Sequence, residues 1–153
     1  MGTIIGLLGR LGYNDSMQDH AVLVIRSGSK CLFVQRSFTK KTLPGAWAFA
    51  SGTVEAEETI EETAKREAKE ELGLIVSVQK VFASHELPNF NTILHFVLCN
   101  LVEGEPIIHA PDEIEAFEWI SLSDFFEKYN DSQIGHGLVW LRANTNIWMQ
   151  EGL

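Results

Sequence analysis

Short, wholly apolar runs punctuate this chain, separated by longer polar stretches. Residues 20–26 (HAVLVIR) and 31–36 (CLFVQR) are rich in β-branched and aromatic side chains, and the glycine-containing SGSK between them predicts a hairpin. The run AVLVI is apolar at every position rather than at alternate ones, which predicts a strand buried on both faces. Residues 92–102 (TILHFVLCNLV) behave in the same way. In a strand, Leu94, Phe96 and Leu98 face one side, and Ile93, Val97, Cys99 and Leu101 the other. A sheet covered on both faces needs two covering layers, so helices are expected above and below it.

Turn and cap signals place the other elements. Residues 37–47 (SFTKKTLPGAW) read as a basic loop with a turn at Pro44-Gly45, after which Trp47 and Phe49 alternate on a short strand ahead of Gly52. A helix is predicted over Thr59 to Leu72. Thr59 caps it, Glu62 completes a capping box, and Gly73 supplies the stop. Strands follow at 75–83, 92–102 and 114–120. Ser121 with Asp124 opens a helix to about Tyr129, and Ile134 to Met149 reads as one terminal helix. With no repeat and no long polar linker, the 153 residues are expected to form a single domain over 1–153, with 1–18 as a loosely ordered N-terminal extension.

Composition narrows the function classes. Hydrophobic content of 45% and charged content of 22% fit a soluble globular protein. A net charge of −9 argues against a nucleic acid polymer as partner, since that requires a basic surface. A phosphorylated small molecule stays compatible if a divalent cation bridges the two negative charges. Cys31 and Cys99 lie in apolar runs and read as reduced, buried thiols. The five histidines show no metal-binding spacing. No stretch is long enough to span a bilayer. A cytoplasmic location without a membrane partner is the expectation.

The negative charge is concentrated in residues 52–74, GTVEAEETIEETAKREAKEELGL. On a helix Glu67 and Glu71 lie about 40° apart, and Glu70 about 60° to the other side of Glu67. Three carboxylates thus share one face near a helix C-terminus, where mutual repulsion and the helix dipole both disfavour anions. One reading is a hard divalent cation, Mg2+ or Mn2+, held by carboxylate oxygens. The other is a solvated or partner-binding face.

The spacing adds a resemblance. Gly52, five residues, Glu58, seven residues, then Arg66-Glu67-Ala68-Lys69-Glu70-Glu71-Leu72-Gly73-Leu74 resembles the Nudix box, G-x5-E-x7-R-E-U-x-E-E-x-G-U with U apolar, at every fixed position. The flanks resemble the family from about residue 19 to 130. The resemblance implies an α/β fold, an α/β/α sandwich around a mixed sheet with a loop–helix–loop catalytic motif. It implies Mg2+-dependent (or Mn2+-dependent) hydrolysis of a nucleoside diphosphate linked to another group. Carried over by position, Gly52, Glu58, Glu67, Glu70 and Glu71 are the expected metal-site residues, and Arg66 is expected to orient a box carboxylate. The general base is expected from the box, at Glu70 or Glu71, or from a later loop, at Glu113 or Glu115. Two departures from the family's habit stand out: Ala50-Ser51 stand where Pro-Gly often precedes the box glycine, and Glu57 stands where glycine often precedes the first box glutamate.

Substrate choice is written outside the box. Arg36, Lys40 and Lys41 are candidates for phosphate contacts, and Trp47 and Phe49, with Phe33, Phe90 and Phe96, for stacking on a base. The leading expectation is a nucleoside triphosphate cleaved to monophosphate and pyrophosphate, followed by a nucleotide sugar or ADP-ribose. A nucleotide-binding module without turnover, and an isomerase of isoprenoid diphosphates, are the readings from other classes. A nucleotide-like small molecule is the expected partner, and monomer or homodimer the expected state.

Overall fold

The computed structural model describes residues 17–153. The 1–18 extension therefore lies outside the described residues except for Met17, which is buried, and Gln18, which opens the first strand. Strand β1 (Gln18–Ser27) turns through Gly28, at φ 61°, into β2 (Lys30–Arg36). Two short strands follow, β3 (Trp47–Ala48) and β4 (Ala50–Thr53), and then helix α1 (Ile60–Leu72). Strands β5 (Ile75–Leu87), β6 (Thr92–Glu103) and β7 (Ile114–Ile120) precede helices α2 (Leu122–Lys128), α3 (His136–Ala143) and α4 (Thr145–Met149). Among the described residues, no helix is long and apolar enough to cross a membrane.

The strands form one mixed sheet in the order β3-β2-β1-β6-β5, with β4 added to β1 and β7 to β2. Among the strands of the described residues, only β1 and β6 pair in parallel. One edge of β1 is divided between two partners. Its last residues pair with β2 (Arg26↔Cys31), and His20 to Leu23 pair with β4. The β2–β3–β7 group is thereby held apart from β4, and the slot between them becomes part of the site.

Alternation along β1 sorts the core into two layers. Ala21, Leu23 and Ile25 pack with Val97, Cys99 and the Ala64, Ala68 and Leu72 stripe of α1. Val22 and Val24 face the other way, onto Phe33, Phe96 and the apolar sides of α2, α3 and α4. Spacing of four residues puts alanines where α1 meets the sheet, and their small size lets the helix approach closely. On the opposite face Phe33 lies between Phe49 and Phe125, with ring centroids 4.8 and 3.9 Å away. Both cysteines are free and buried, one in each layer.

Three elements differ from expectation. Strand β5 runs on to Leu87 rather than ending near 83, because its irregularities pair across β6 as register shifts, which blur an alternating pattern. The terminal helix is two helices. Ile134 is extended and bridges to Trp47, and Asn144 (φ −128°, ψ 56°) breaks the run while its side-chain amide donates to the Trp140 carbonyl. Such local side-chain bonding competes with helix continuation. Phe49 sits between β3 and β4, inside the second core layer.

Helix α1 is closed at both ends. Thr59 and Glu62 form the expected reciprocal box, and Gly73 adopts the left-handed conformation (φ 68°) that ends the helix. Beyond the box, the Leu72 carbonyl accepts from the Ile107 amide at 3.0 Å, and the Glu70 carbonyl accepts from His109 Nδ1 at 2.6 Å. The β6–β7 connection thus caps carbonyls that the helix leaves open. Ahead of α1, Glu57 has φ 66°, a region that costs an L-residue roughly 1–2 kcal/mol. Glu57→Gly removes that strain at an entropic cost of roughly 0.5–1 kcal/mol. The variant is expected to melt about 2 °C higher, as read by differential scanning calorimetry; an unchanged or lower Tm would contradict strain at this turn.

Candidate active site

Arg66 is the centre of the acidic segment. Its position on α1 aims the guanidinium back across the loop that precedes the helix. Nε donates to Glu58 Oε2 at 2.7 Å, and Nη2 to Glu58 Oε1 at 3.0 Å and the Thr53 carbonyl at 3.2 Å. Nη1 donates to Glu67 Oε1 at 2.8 Å and Glu70 Oε2 at 3.3 Å. Glu58 also accepts from the Thr63 hydroxyl at 2.6 Å and from the Glu55 amide at 3.1 Å. The hydrogen bonds from Arg66, and then that from Thr63, hold its carboxyl far down, at about 2. The same partners push Arg66 further up, led by its bonds to Glu58.

Glu71 has the opposite environment. It lies one turn beyond Glu67, and no bond from Arg66 reaches it. Burial comes first, followed by the charge of Glu67 and a hydrogen bond with it, then the charges of Glu113 and Glu70. Together they push Glu71 from its ordinary 4.5 up to about 8. Gly52 explains how Glu67 comes so close to the sheet: a Cβ there would lie 2.2 Å from the Glu67 carboxyl carbon. Glycine is needed at this position for space, whatever its backbone angles.

Glu71 and Glu113 line one small cavity of about 90 Å³ in the slot between β2 and β4, together with Arg36, Ala48, Phe49 and Ser51. The last four also line a larger cavity of about 230 Å³ on the other side of the sheet, against α3. Of the two late-loop glutamates, then, Glu113 is brought to the box and Glu115 is not; Glu115 is exposed on β7. Glu113 Oε2 accepts from Lys40 Nζ at 2.7 Å, which ties the basic loop to it. Arg36 donates from Nε and Nη2 to the Thr42 carbonyl, at 3.0 and 2.8 Å. Phe49 lines both cavities, whereas Trp47 packs against Tyr129, with ring centroids 5.5 Å apart. His20, Ser51 and His136 also line the larger cavity. Sequence reasoning missed them, because a lone histidine or serine in a strand carries no spacing signal.

The donor chemistry suits a hard divalent cation at one place. Glu71 is a half-buried carboxylate beside the Glu67 carboxylate, and among the described residues no ion pair joins it to a protein cation. Among the described residues, no three acidic, histidine or cysteine side chains stand around a common point, because Arg66 draws Glu58, Glu67 and Glu70 to itself. Glu71 is left free of Arg66, whereas Glu58, Glu67 and Glu70 each give it a carboxylate oxygen.

A family model described as NUDIX domain matches residues 17–141. "Putative nudix hydrolase 1" of Caenorhabditis elegans is 31% identical over 107 residues, covering 68% of this chain and 28% of that protein. "CTP pyrophosphohydrolase" of Escherichia coli K12 is 32% identical over 101 residues, covering 66% of this chain and 73% of that one. The crystal structure of an ADP-ribose pyrophosphatase from Streptococcus suis superposes with a TM-score of 0.59 at 25% identity, covering 76% of this chain and 86% of that one. The chain spans only 28% to 35% of the length of the first curated relatives it matches.

Two outcomes test the site's geometry. A carboxyl whose pKa is raised on folding binds more protons folded than unfolded, so stability falls as pH rises through the window between the two values. In EDTA, the Glu71-linked contribution is present below pH 4.5 and lost as pH rises to about 8. Denaturant midpoints should coincide for wild type and Glu71→Gln near pH 4.5, with the variant the more stable near pH 8. Coincidence at both pH values would refute the raised Glu71. Gly52→Ala should push Glu67 off Arg66 and cost about 1–3 kcal/mol in urea unfolding, the scale of overpacking; a neutral effect would mean that Glu67 is free to move.

Proposed function

The chain belongs to the Nudix family, and on that premise we propose that it is a divalent-metal-dependent hydrolase of a nucleoside diphosphate linkage. The leading substrate is a nucleoside triphosphate, cleaved to monophosphate and pyrophosphate. The observation that carries this reading is the shared wall of the two cavities. Arg36, Ala48, Phe49 and Ser51 join a largely apolar chamber to the pocket holding Glu71 and Glu113. A molecule with one flat organic end and one anionic end has a place for each. The E. coli relative named for CTP pyrophosphohydrolase, of which the chain covers 73%, supports the triphosphate form. The ADP-ribose pyrophosphatase fold neighbour keeps the nucleoside-diphosphate-sugar form in second place.

In the proposed reaction, water adds to one phosphorus, the bridging P–O bond breaks, and pyrophosphate leaves as the proton passes to a base. When bound, Mg2+ or Mn2+ neutralises phosphoryl oxygens and lowers the pKa of a coordinated water. Glu71, with Glu67, is the proposed metal holder, and Arg66 fixes Glu67 while occupying Glu58 and Glu70. Glu113 is the proposed base: it lines the pocket of Glu71, and Lys40 Nζ, 2.7 Å from its Oε2, holds the side chain in place. Arg36 is the proposed phosphate contact, through the guanidinium N–H groups that the Thr42 carbonyl does not take. The carboxylates are retained in full, which weighs against a module that binds without turnover. Action as a monomer or homodimer in the cytoplasm belongs to the same reading.

The test is a chromatographic assay of nucleoside triphosphates, nucleotide sugars and ADP-ribose with Mg2+ present. Turnover of a triphosphate to monophosphate and pyrophosphate is expected, with Glu71→Gln slower by at least about 100-fold. Absence of turnover across the panel, or an undiminished Glu71→Gln, would overturn the proposal.

A further inference from the structure

Glu71 stands in the last turn of α1, one residue before Leu72 ends the helix. That is an insecure place for a side chain whose position matters, because the final carbonyls lack partners within the helix and the turn frays. Here the turn is held from both sides. The Gly73 and Leu74 amides donate to the Lys69 and Ala68 carbonyls, each at 3.0 Å. The Glu70 carbonyl, on the residue next to Glu71, accepts from His109 Nδ1 at 2.6 Å, and the Leu72 carbonyl from the Ile107 amide at 3.0 Å.

The neighbours of His109 bring it there. Ile108 packs against the core layer beneath α1, and the residues on either side of it make the two bonds to the helix end. Both lie over Gly73: a Cβ there would stand 3.0 Å from Ile107 Cγ1 and 3.8 Å from His109 Cε1. Past His109, the Ala110 carbonyl accepts from the Glu113 and Ile114 amides at 2.9 and 3.0 Å, a turn that sets Glu113 in the pocket with Glu71. One side chain therefore links the turn of Glu71 to the turn of Glu113. A carbonyl only accepts, so His109 Nδ1 carries the proton. The Nδ1–H tautomer and the imidazolium both donate there, and the bond does not depend on the charge of the ring.

We propose that His109 is a positioning residue for the reaction. By donating to the Glu70 carbonyl it fixes the turn that carries Glu71, and so sets where that carboxylate meets a divalent cation. The inference rests on the reading of Glu71 as metal holder. Loss of a group that holds a metal ligand from behind typically changes affinity or activity about 10–100-fold.

Two substitutions separate the hydrogen bond from the bulk of the ring. His109→Phe keeps a ring and removes the donor, whereas His109→Asn keeps a donor, Nδ2, at the same number of bonds from the backbone. Mn2+ binding is read without nucleotide, from the electron paramagnetic resonance of the free ion. It should weaken about 10-fold in His109→Phe and stay within about threefold of wild type in His109→Asn. In a Glu71→Gln background, His109→Phe should weaken binding no further, since residues that act through one group are not additive. With a nucleotide that is turned over at saturating Mg2+, His109→Phe should lower kcat about 10-fold while KM keeps its value. Equal Mn2+ binding by wild type and His109→Phe would overturn the inference. So would an equal loss in both variants, a full further loss on top of Glu71→Gln, or a wild type that binds no Mn2+. The expected Mn2+ pattern without turnover of any compound would overturn the hydrolase reading and leave the role of His109 standing.

Discussion

One guanidinium makes the acidic segment foldable. Between Gly52 and Leu74 the chain carries eight glutamates against Lys65, Arg66 and Lys69, and a helix ending in such charge is disfavoured by its own dipole. Arg66 answers this by reaching Glu58, Glu67 and Glu70 at once and also holding the Thr53 carbonyl. The loop before the helix, the helix and the end of β4 are thereby fastened at a single point. Its reach is limited, however. Glu71, one turn beyond Glu67 and half-buried, lies outside it, so it is the box carboxylate whose ionisation is left uncompensated and is pushed up.

The fold places that carboxylate where a substrate could meet it. Because β1 shares one edge between β2 and β4, the sheet is not closed along its length. The resulting slot lets side chains from both layers line two neighbouring cavities, with Arg36 on the common wall. The half-buried Glu71 of α1 and the apolar chamber beside α3 thus fall on opposite faces of one sheet. A sheet paired without interruption would have separated them.

Much of this was legible in the residues themselves. The doubly buried strands follow from AVLVI and HFVLC, and the helix ends follow from Thr59, Glu62 and Gly73, since these signals are local and have one dominant physical explanation. The box spacing identified the residues that converge. What stayed hidden depends on distant partners. Glu113 and Glu115 are equivalent as sequence, and only the pairing of β7 with β2 sets one beside Glu71 and leaves the other in solvent. The Trp47 ring was a reasonable stacking candidate until Tyr129, 82 positions away by the numbering, took it. Glu57 lies between these cases: its departure from glycine was visible in the sequence, and its left-handed backbone shows what that departure costs.

The capping of α1 by the β6–β7 connection has a further consequence. Ile107 and His109 bond the carbonyls of Leu72 and Glu70, in the same turn that presents Glu71, and Glu113 follows only four residues after His109. The connection therefore works as a measured tether. Length gained before Ile107 can bulge outward without effect, whereas length gained between His109 and Glu113 would change the span across the pocket. Two carboxylates far apart in sequence are thus gauged against one helical turn, and variation in this loop is tolerable on one side of that anchor and not on the other.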